Sequence, residues 1–225
     1  MLERDSWQAL AGGNDARIFP FLRKPDITSC NSYLIETKQQ IVLIDPGALP
    51  EQWDALMEQV SLLVKERARP VVIYLTHAHL DHSLSAISCQ TPDDLMPIQV
   101  AIHQQGVAVL KQGDRKLSMA ELYGCDFPCY EPAITLMANA DVQEVATGAE
   151  AGSRPAHKLL RQCIDLGAGD TLEVYHTPGH SPDSVCYRLG EALFISDLLS
   201  ATQPMVAGII GWNRDEYIRS ARHLL

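Results

Sequence analysis

The sequence predicts an α/β protein built on a mixed sheet, and three observations carry that expectation. Short apolar runs of strand length recur, as at 41–44 and 71–75. Between them lies one long stretch, 51–67, in which Trp53, Leu56, Met57, Val60, Leu63 and Val64 repeat at helical spacing. The run at 71–75 then ends in Thr76-His77-Ala78-His79-Leu80-Asp81-His82. That loop, rich in metal-ligating side chains, stands at the carboxyl end of a strand, where such sheets collect their active sites.

The elements follow in order. Residues 17–22 and 31–37 alternate as strands, with Tyr33 and Ile35 set against polar neighbours. Lys38-Gln39-Gln40 is a turn, and 41–44 is a buried strand that runs into Asp45-Pro46-Gly47. Asp45 reads equally as a plain turn residue and as a support for the site. After the helix at 51–67, Pro70 stops helical continuation and the ligand-bearing strand begins. A strand over 98–102 and a helix over 103–110 come next, with His103 near the strand end as a structural or solvated histidine. Periodicity weakens over 111–161. A short helix is expected at 117–123 and a loop at 149–155, and the stretch around 103–160 is expected to form a lid or pocket insertion. Order returns at Cys163 with a turn at 167–170, a strand at 172–176 and a proline-stiffened loop, Thr177-Pro178-Gly179-His180-Ser181-Pro182. A hairpin of 185–189 and 192–195 closes on Ser196-Asp197, and 214–225 is a helix.

Composition bounds the function. With 225 residues, 46% of them hydrophobic and 20% charged, the chain is long enough for one large domain or two small ones, with room for a sizeable core. A net charge of -10 disfavours a nucleic-acid binder. The start lacks a basic segment followed by an apolar core, so no signal peptide is expected, and no apolar run is long enough to span a bilayer. The 6 cysteines are dispersed, so reduced thiols and a cytoplasmic location are expected. Cys125 and Cys129 form a C-x3-C pair that suits a metal or a disulfide, but no second pair accompanies it.

Three of the 8 histidines fall in 77–82. Side chains alternate along an extended chain, so His77 and His79 point to one side, and once the chain turns at Leu80, Asp81 and His82 reach a second location. The spacing suits two adjacent metal ions. His180 precedes the first strand of the late hairpin and Asp197 follows the second, so antiparallel pairing brings these two ends together.

The pattern His77-x-His79-x-Asp81-His82, then Pro178-Gly179-His180, then Asp197 after an apolar strand, resembles the metallo-β-lactamase superfamily, which includes hydroxyacylglutathione hydrolases. Asp45-Pro46-Gly47 and Gly167-Ala168-Gly169-Asp170 also fall where that superfamily carries similar turns. The resemblance covers nearly the whole chain and implies a single domain, 1–225. It implies an αββα four-layer sandwich, two mixed β-sheets with helices on the outer faces, and a metal site at one edge. It also implies that His77, His79 and His180 hold a first ion, that Asp81 and His82 hold a second, and that Asp197 bridges them. Two divalent ions, zinc first and iron or manganese as alternatives, are the implied cofactors.

The implied activity is hydrolysis of a thioester, lactone or amide by metal-bound hydroxide, with Asp81 and Asp197 orienting the nucleophile and Asp197 accepting its proton. The alternatives are a mononuclear iron sulfur (persulfide) dioxygenase, using the equivalents of His77, His180 and Asp197, and a non-catalytic metal-binding protein. A small-molecule substrate is expected, with neither membrane nor nucleic acid as partner; a homo-oligomer is compatible. Two departures stand out. Many members carry glycine where this chain has Ser196. The superfamily also supplies a late histidine to the second ion, whereas His223 lies inside the last helix, so the C-terminal end of the family fold is expected to be missing from 1–225.

Overall fold

The computed structural model describes residues 3–23, 28–92, 95, 97–138, 141–147, 157–199 and 210–224. Two sheets stack face to face. The first has seven strands in the order β1 (Gln8–Ala9), β2 (Arg17–Phe21), β3 (Ser32–Glu36), β4 (Ile41–Ile44), β5 (Val71–Tyr74), β6 (Gln99–His103) and β7 (Ile134–Leu136). The second has five, running across from β8 (Gln143–Thr147) through β9 (His157–Gly167), β10 (Asp170–His176) and β11 (Val185–Leu189) to β12 (Ala192–Phe194). The helices are α1 (Pro50–Glu66), α2 (Leu80–Ser88), α3 (Gln104–Gln112) and α4 (Arg214–Leu224), with a 3-10 turn at Ser196–Leu198.

Alternation along the strands divides the core into two layers. In β4 and β5, Ile41, Leu43, Val71 and Ile73 face a cluster that also contains Trp53, Leu56 and Val60 of α1 and Leu110 of α3. Val42, Ile44, Val72 and Tyr74 face the opposite way and pack with Leu172, Val174, Tyr187 and Leu189 of the second sheet. A strand buried on both faces must be apolar throughout, which is why 41–44 and 71–74 show no alternation of polarity. The Tyr187 hydroxyl crosses the inter-sheet layer and donates to the Leu75 carbonyl at 2.6 Å.

Strand direction positions the site. β4, β5, β6 and β7 run parallel, so Asp45, the 76–82 loop and His103 leave the first sheet at one edge. The second sheet is antiparallel and delivers the 177–184 loop from β10 and Ser196-Asp197 from β12. The Val185 amide donates to the Thr76 carbonyl at 2.9 Å and seams the two sheets beside the ligand loop.

Helix α1 starts on Pro50, with Glu51 in its first turn favouring the positive helix end. The helix expected at 117–123 is instead a series of turns. The Asp114 carboxylate accepts from the amides of Lys116 and Leu117, and Met119 adopts φ 65°, which breaks a right-handed helix. Within 103–160, α3 packs on β6 and β7, and β8 pairs with β9. The loop expected at 149–155 lies outside the described residues. No helix among the described residues is long and apolar enough to cross a membrane.

Candidate metal centre

The first group of donors comes from two loops. His77 and His79 lie on the extended segment beyond β5, and His79 is the N-cap of α2. His180 follows Gly179, which adopts φ 132° and is so close to α4 that a Cβ there would lie 2.1 Å from the Tyr217 nitrogen. The Gly179 carbonyl accepts from the Asn213 amide at 2.8 Å, and the Pro178 carbonyl accepts from Ser220 Oγ at 2.7 Å. Helix α4 is thereby fastened to the turn that presents His180.

Three ring nitrogens converge. His77 Nε2 lies 3.0 Å from His79 Nδ1 and 3.1 Å from His180 Nε2, and the last two are 2.9 Å apart. All three residues are buried. Burial, reinforced by the neighbouring imidazoles, holds His77 and His79 well below the usual histidine range, so both are neutral.

A network behind the rings assigns a tautomer. Asp45 is buried; its Oδ1 accepts from the Thr76 amide at 2.8 Å and its Oδ2 from Thr76 Oγ1 at 2.6 Å. Thr76 Oγ1 has given its one proton to that carboxylate. It must therefore accept from His77 Nδ1 at 3.0 Å and from Ser196 Oγ at 2.8 Å. His77 thus carries its proton on Nδ1 and turns the Nε2 lone pair toward the other two rings. Asp45 Oδ2 also accepts from His82 Nδ1 at 2.8 Å, which aims His82 Nε2 the other way.

That nitrogen marks the second group. His82 Nε2 lies 3.4 Å from Asp81 Oδ2 and 3.7 Å from Asp197 Oδ1, and Asp197 Oδ2 lies 3.4 Å from His180 Nε2. Asp197 therefore reaches both groups. The side chains of Asp81 and Asp197 are 21% and 28% exposed, so this side opens to solvent while the imidazoles are enclosed. Burial works against the charged form of His82, but Asp81, Cys30 and Asp45 outweigh it and raise its pKa well above the usual range. Burial likewise works against the Asp81 carboxylate, and His82 outweighs it, so its pKa is lowered. The pocket attracts positive charge, whether a proton on His82 or a metal ion.

These residues fit a metal. Tetrahedral zinc with bonds of about 2.0–2.1 Å sets its nitrogen donors about 3.3 Å apart, close to the three-histidine spacing. His77, His79 and His180 form one group able to hold an ion, and His77, His82 and Asp197 form another. Among the described residues, His82 Nε2 is a buried nitrogen with no hydrogen-bond partner, and a metal ion bound there would displace the proton it otherwise carries. Cys30 completes a third group with Asp45 and His82. The oxygens of Asp45 are already committed to Thr76 and His82, so Asp45 acts here as the group that orients His82.

The structure thus brings His77, His79, Asp81, His82, His180 and Asp197 together at one edge. His103 is buried, stacks on His176 with ring centroids 4.2 Å apart, and belongs to none of the donor groups among the described residues. His223 is buried on α4. Cys125 and Cys129 are free thiols. A surface groove of about 430 Å³ runs along α1 past Trp53, Met57 and Gln90, and none of its lining residues is a candidate ligand. Sequence reasoning gave no role to Thr76 or Ser196. The available signals were a hydroxyl next to the first histidine and a serine where the chain needs φ 47°.

A face-to-face sandwich with histidines and carboxylates gathered at one edge defines a class of fold with a candidate metal centre. The family model of the metallo-beta-lactamase superfamily matches residues 25–87. The solved BLEG-1 B3 metallo-beta-lactamase shares the fold, with a TM-score of 0.59 at 22% identity over 91% of this chain and 83% of that one. The chain has the fold of the metallo-beta-lactamase structures, and its residues 25–87 match the family model of that superfamily. An uncharacterized protein of Mycobacterium tuberculosis is 30% identical over 74% of this chain, and the match spans only 63% of that relative's length. The probable metallo-hydrolase YqgX of Bacillus subtilis is 27% identical over 87% of this chain and 78% of its own. The acyl-coenzyme A thioesterase MBLAC2 of Gallus gallus is 26% identical over 87% of this chain and 66% of its own.

Proposed function

We propose that this chain is a metal-dependent hydrolase that uses two divalent ions, zinc first, to cleave a thioester, with lactones and amides as further candidates. The observation that carries the reading is the position of Asp197, whose two oxygens lie 3.4 Å from His180 Nε2 and 3.7 Å from His82 Nε2. One carboxylate spans a neutral three-histidine group and an acidic group, as a shared centre requires.

His77, His79 and His180 would hold one ion, and Asp81, His82 and Asp197 the other. Bound zinc lowers the pKa of a water to about 7 and polarises a carbonyl oxygen. The chain's own residues do the rest. Asp45 and Thr76 fix the His77 and His82 rings. Asp81 and Asp197 border the solvent-exposed side, where they would orient the attacking water, and Asp197 would accept the proton released on attack. Thioesters rank first because the Gallus gallus relative is named a thioesterase. Six free thiols suit a reducing, cytoplasmic compartment.

The test is hydrolysis of a thioester and lactone panel by metal-stripped and zinc-loaded protein, with elemental analysis of the purified chain. Two zinc ions per chain and zinc-dependent cleavage are expected. Equal, negligible rates in both forms would sink the proposal. One iron per chain with oxygen uptake on a persulfide would replace it with the dioxygenase reading.

A further inference from the structure

Asp183 is a buried acid that the reading above leaves without a task. It lies on the His180 loop, and its side chain faces the other ligand loop. Asp183 Oδ2 accepts from the Ala78 amide at 2.9 Å, and Oδ1 accepts from Ser181 Oγ at 2.7 Å. Ser181 Oγ is braced in turn by Ser184 Oγ at 2.7 Å. The carboxylate is also pressed against α3, since a Cβ on Gly106 would lie 2.5 Å from Asp183 Oδ2. Serine, amide and helix together leave it one position.

The amide it holds is the one between His77 and His79. That segment lies beyond β5, where the sheet ladder stops supplying acceptors. A buried amide there needs another partner. The Val185 amide makes the last rung to Thr76, and two residues on, the Asp183 side chain makes the next contact in place of a backbone carbonyl. His180 sits three residues before Asp183 on the same loop. One hydrogen bond therefore fixes the spacing between two donors on one loop and the third donor on the other.

We propose that Asp183 is a positioning residue for the three-histidine group, and that its clamp on Ala78 sets how tightly that group holds its ion. The proposal rests on the metal reading of the centre. Groups that orient metal ligands are worth about 10–100-fold in affinity, and that is the loss expected for D183A. Asparagine can still accept from Ala78 and donate to Ser181, so D183N should stay within about threefold of the natural chain.

The experiment is zinc competition against a chromogenic chelator, with ions per chain counted, far below the melting temperature of each variant. The metal-free melting temperature is recorded alongside. The clamp predicts weak zinc binding in D183A, recovery in D183N, and an intermediate loss in S181A, which removes the brace on Oδ1. Should D183A fail to fold, S181A and D183N carry the test: unchanged affinity in S181A, or a D183N value 10-fold or more weaker than the natural chain, overturns it. A D183A protein that melts lower yet binds zinc as tightly as the natural chain also overturns it, since the role is then only structural. If the natural chain binds no ion, the metal reading and this inference fall together.

Discussion

The two donor groups sit side by side but are built on opposite physical terms. The three-histidine group is enclosed and neutral, with each ring drawn from a loop that the sandwich holds rigidly. The Asp81, His82 and Asp197 group is acidic and partly open, and His82 is oriented in it by Asp45 at 2.8 Å. Neutral imidazoles cost less to bury than carboxylates, so they can line the closed wall. The acids are tolerated where solvent reaches them. The difference indicates a division of labour: the closed side retains an ion, and the open side meets substrate.

Substitutions can break that comparison. H180A has the largest expected effect: the three-histidine group loses its ion and hydrolysis falls to background, read by elemental analysis and thioester assay. If H180A kept two ions, the groups would not be separate. D197N comes next, with activity down about 10²–10⁴-fold because it removes a charged donor and the proton acceptor together. D45N should weaken the second ion most, by about 10–100-fold, since it acts directly on the atom that aims His82 Nε2 and reaches His77 only through Thr76. Titrating zinc into D45N should therefore give one tight site and one weak one.

A further test concerns acid. Burial, with His176 beside it, pushes the pKa of His103 down to about 3 from an ordinary value near 6.5. The unfolded chain therefore binds the proton more readily, and stability falls as pH drops from about 6.5 toward 3, by on the order of a few kcal/mol. Above that window this residue contributes no pH dependence. H103N keeps a side-chain acceptor for the Gln105 amide, which His103 Nδ1 now caps at 3.3 Å, and should show a shallower acid loss in urea melts of metal-free protein. The smallest effect is expected at Ser196. S196A loses the hydroxyl but keeps the left-handed backbone, and should cost about 1 kcal/mol in thermal melts, whereas S196G recovers part of that by relaxing the strain.

Much of this was legible in advance where local pattern and tertiary role agree. The 51–67 periodicity found α1, and the apolar runs at 41–44 and 71–75 found the central strands. The late hairpin placed His180 and Asp197 near each other before any coordinates. Three features were hidden for physical reasons. Helix α2 contains Ser83, Ser85 and Ser88, poor helix formers, and takes its shape from packing of Leu80 and from the turn at His79. β8 and the first half of β9 pair with each other in the stretch where periodicity weakens, so each takes its shape from its partner more than from its own pattern. The roles of Thr76, Asp183 and Ser196 depend on hydrogen bonds across loops, which no periodicity records.

The fastening of α4 to Pro178 and Gly179 also bears on how the protein comes apart. The last helix and the His180 turn share a Tyr217 contact too tight for a methyl group, so neither can peel away alone. Opening of α4 and release of an ion should then be one cooperative event, with slow amide exchange in α4 reporting, from the far side of the turn, that the centre is loaded.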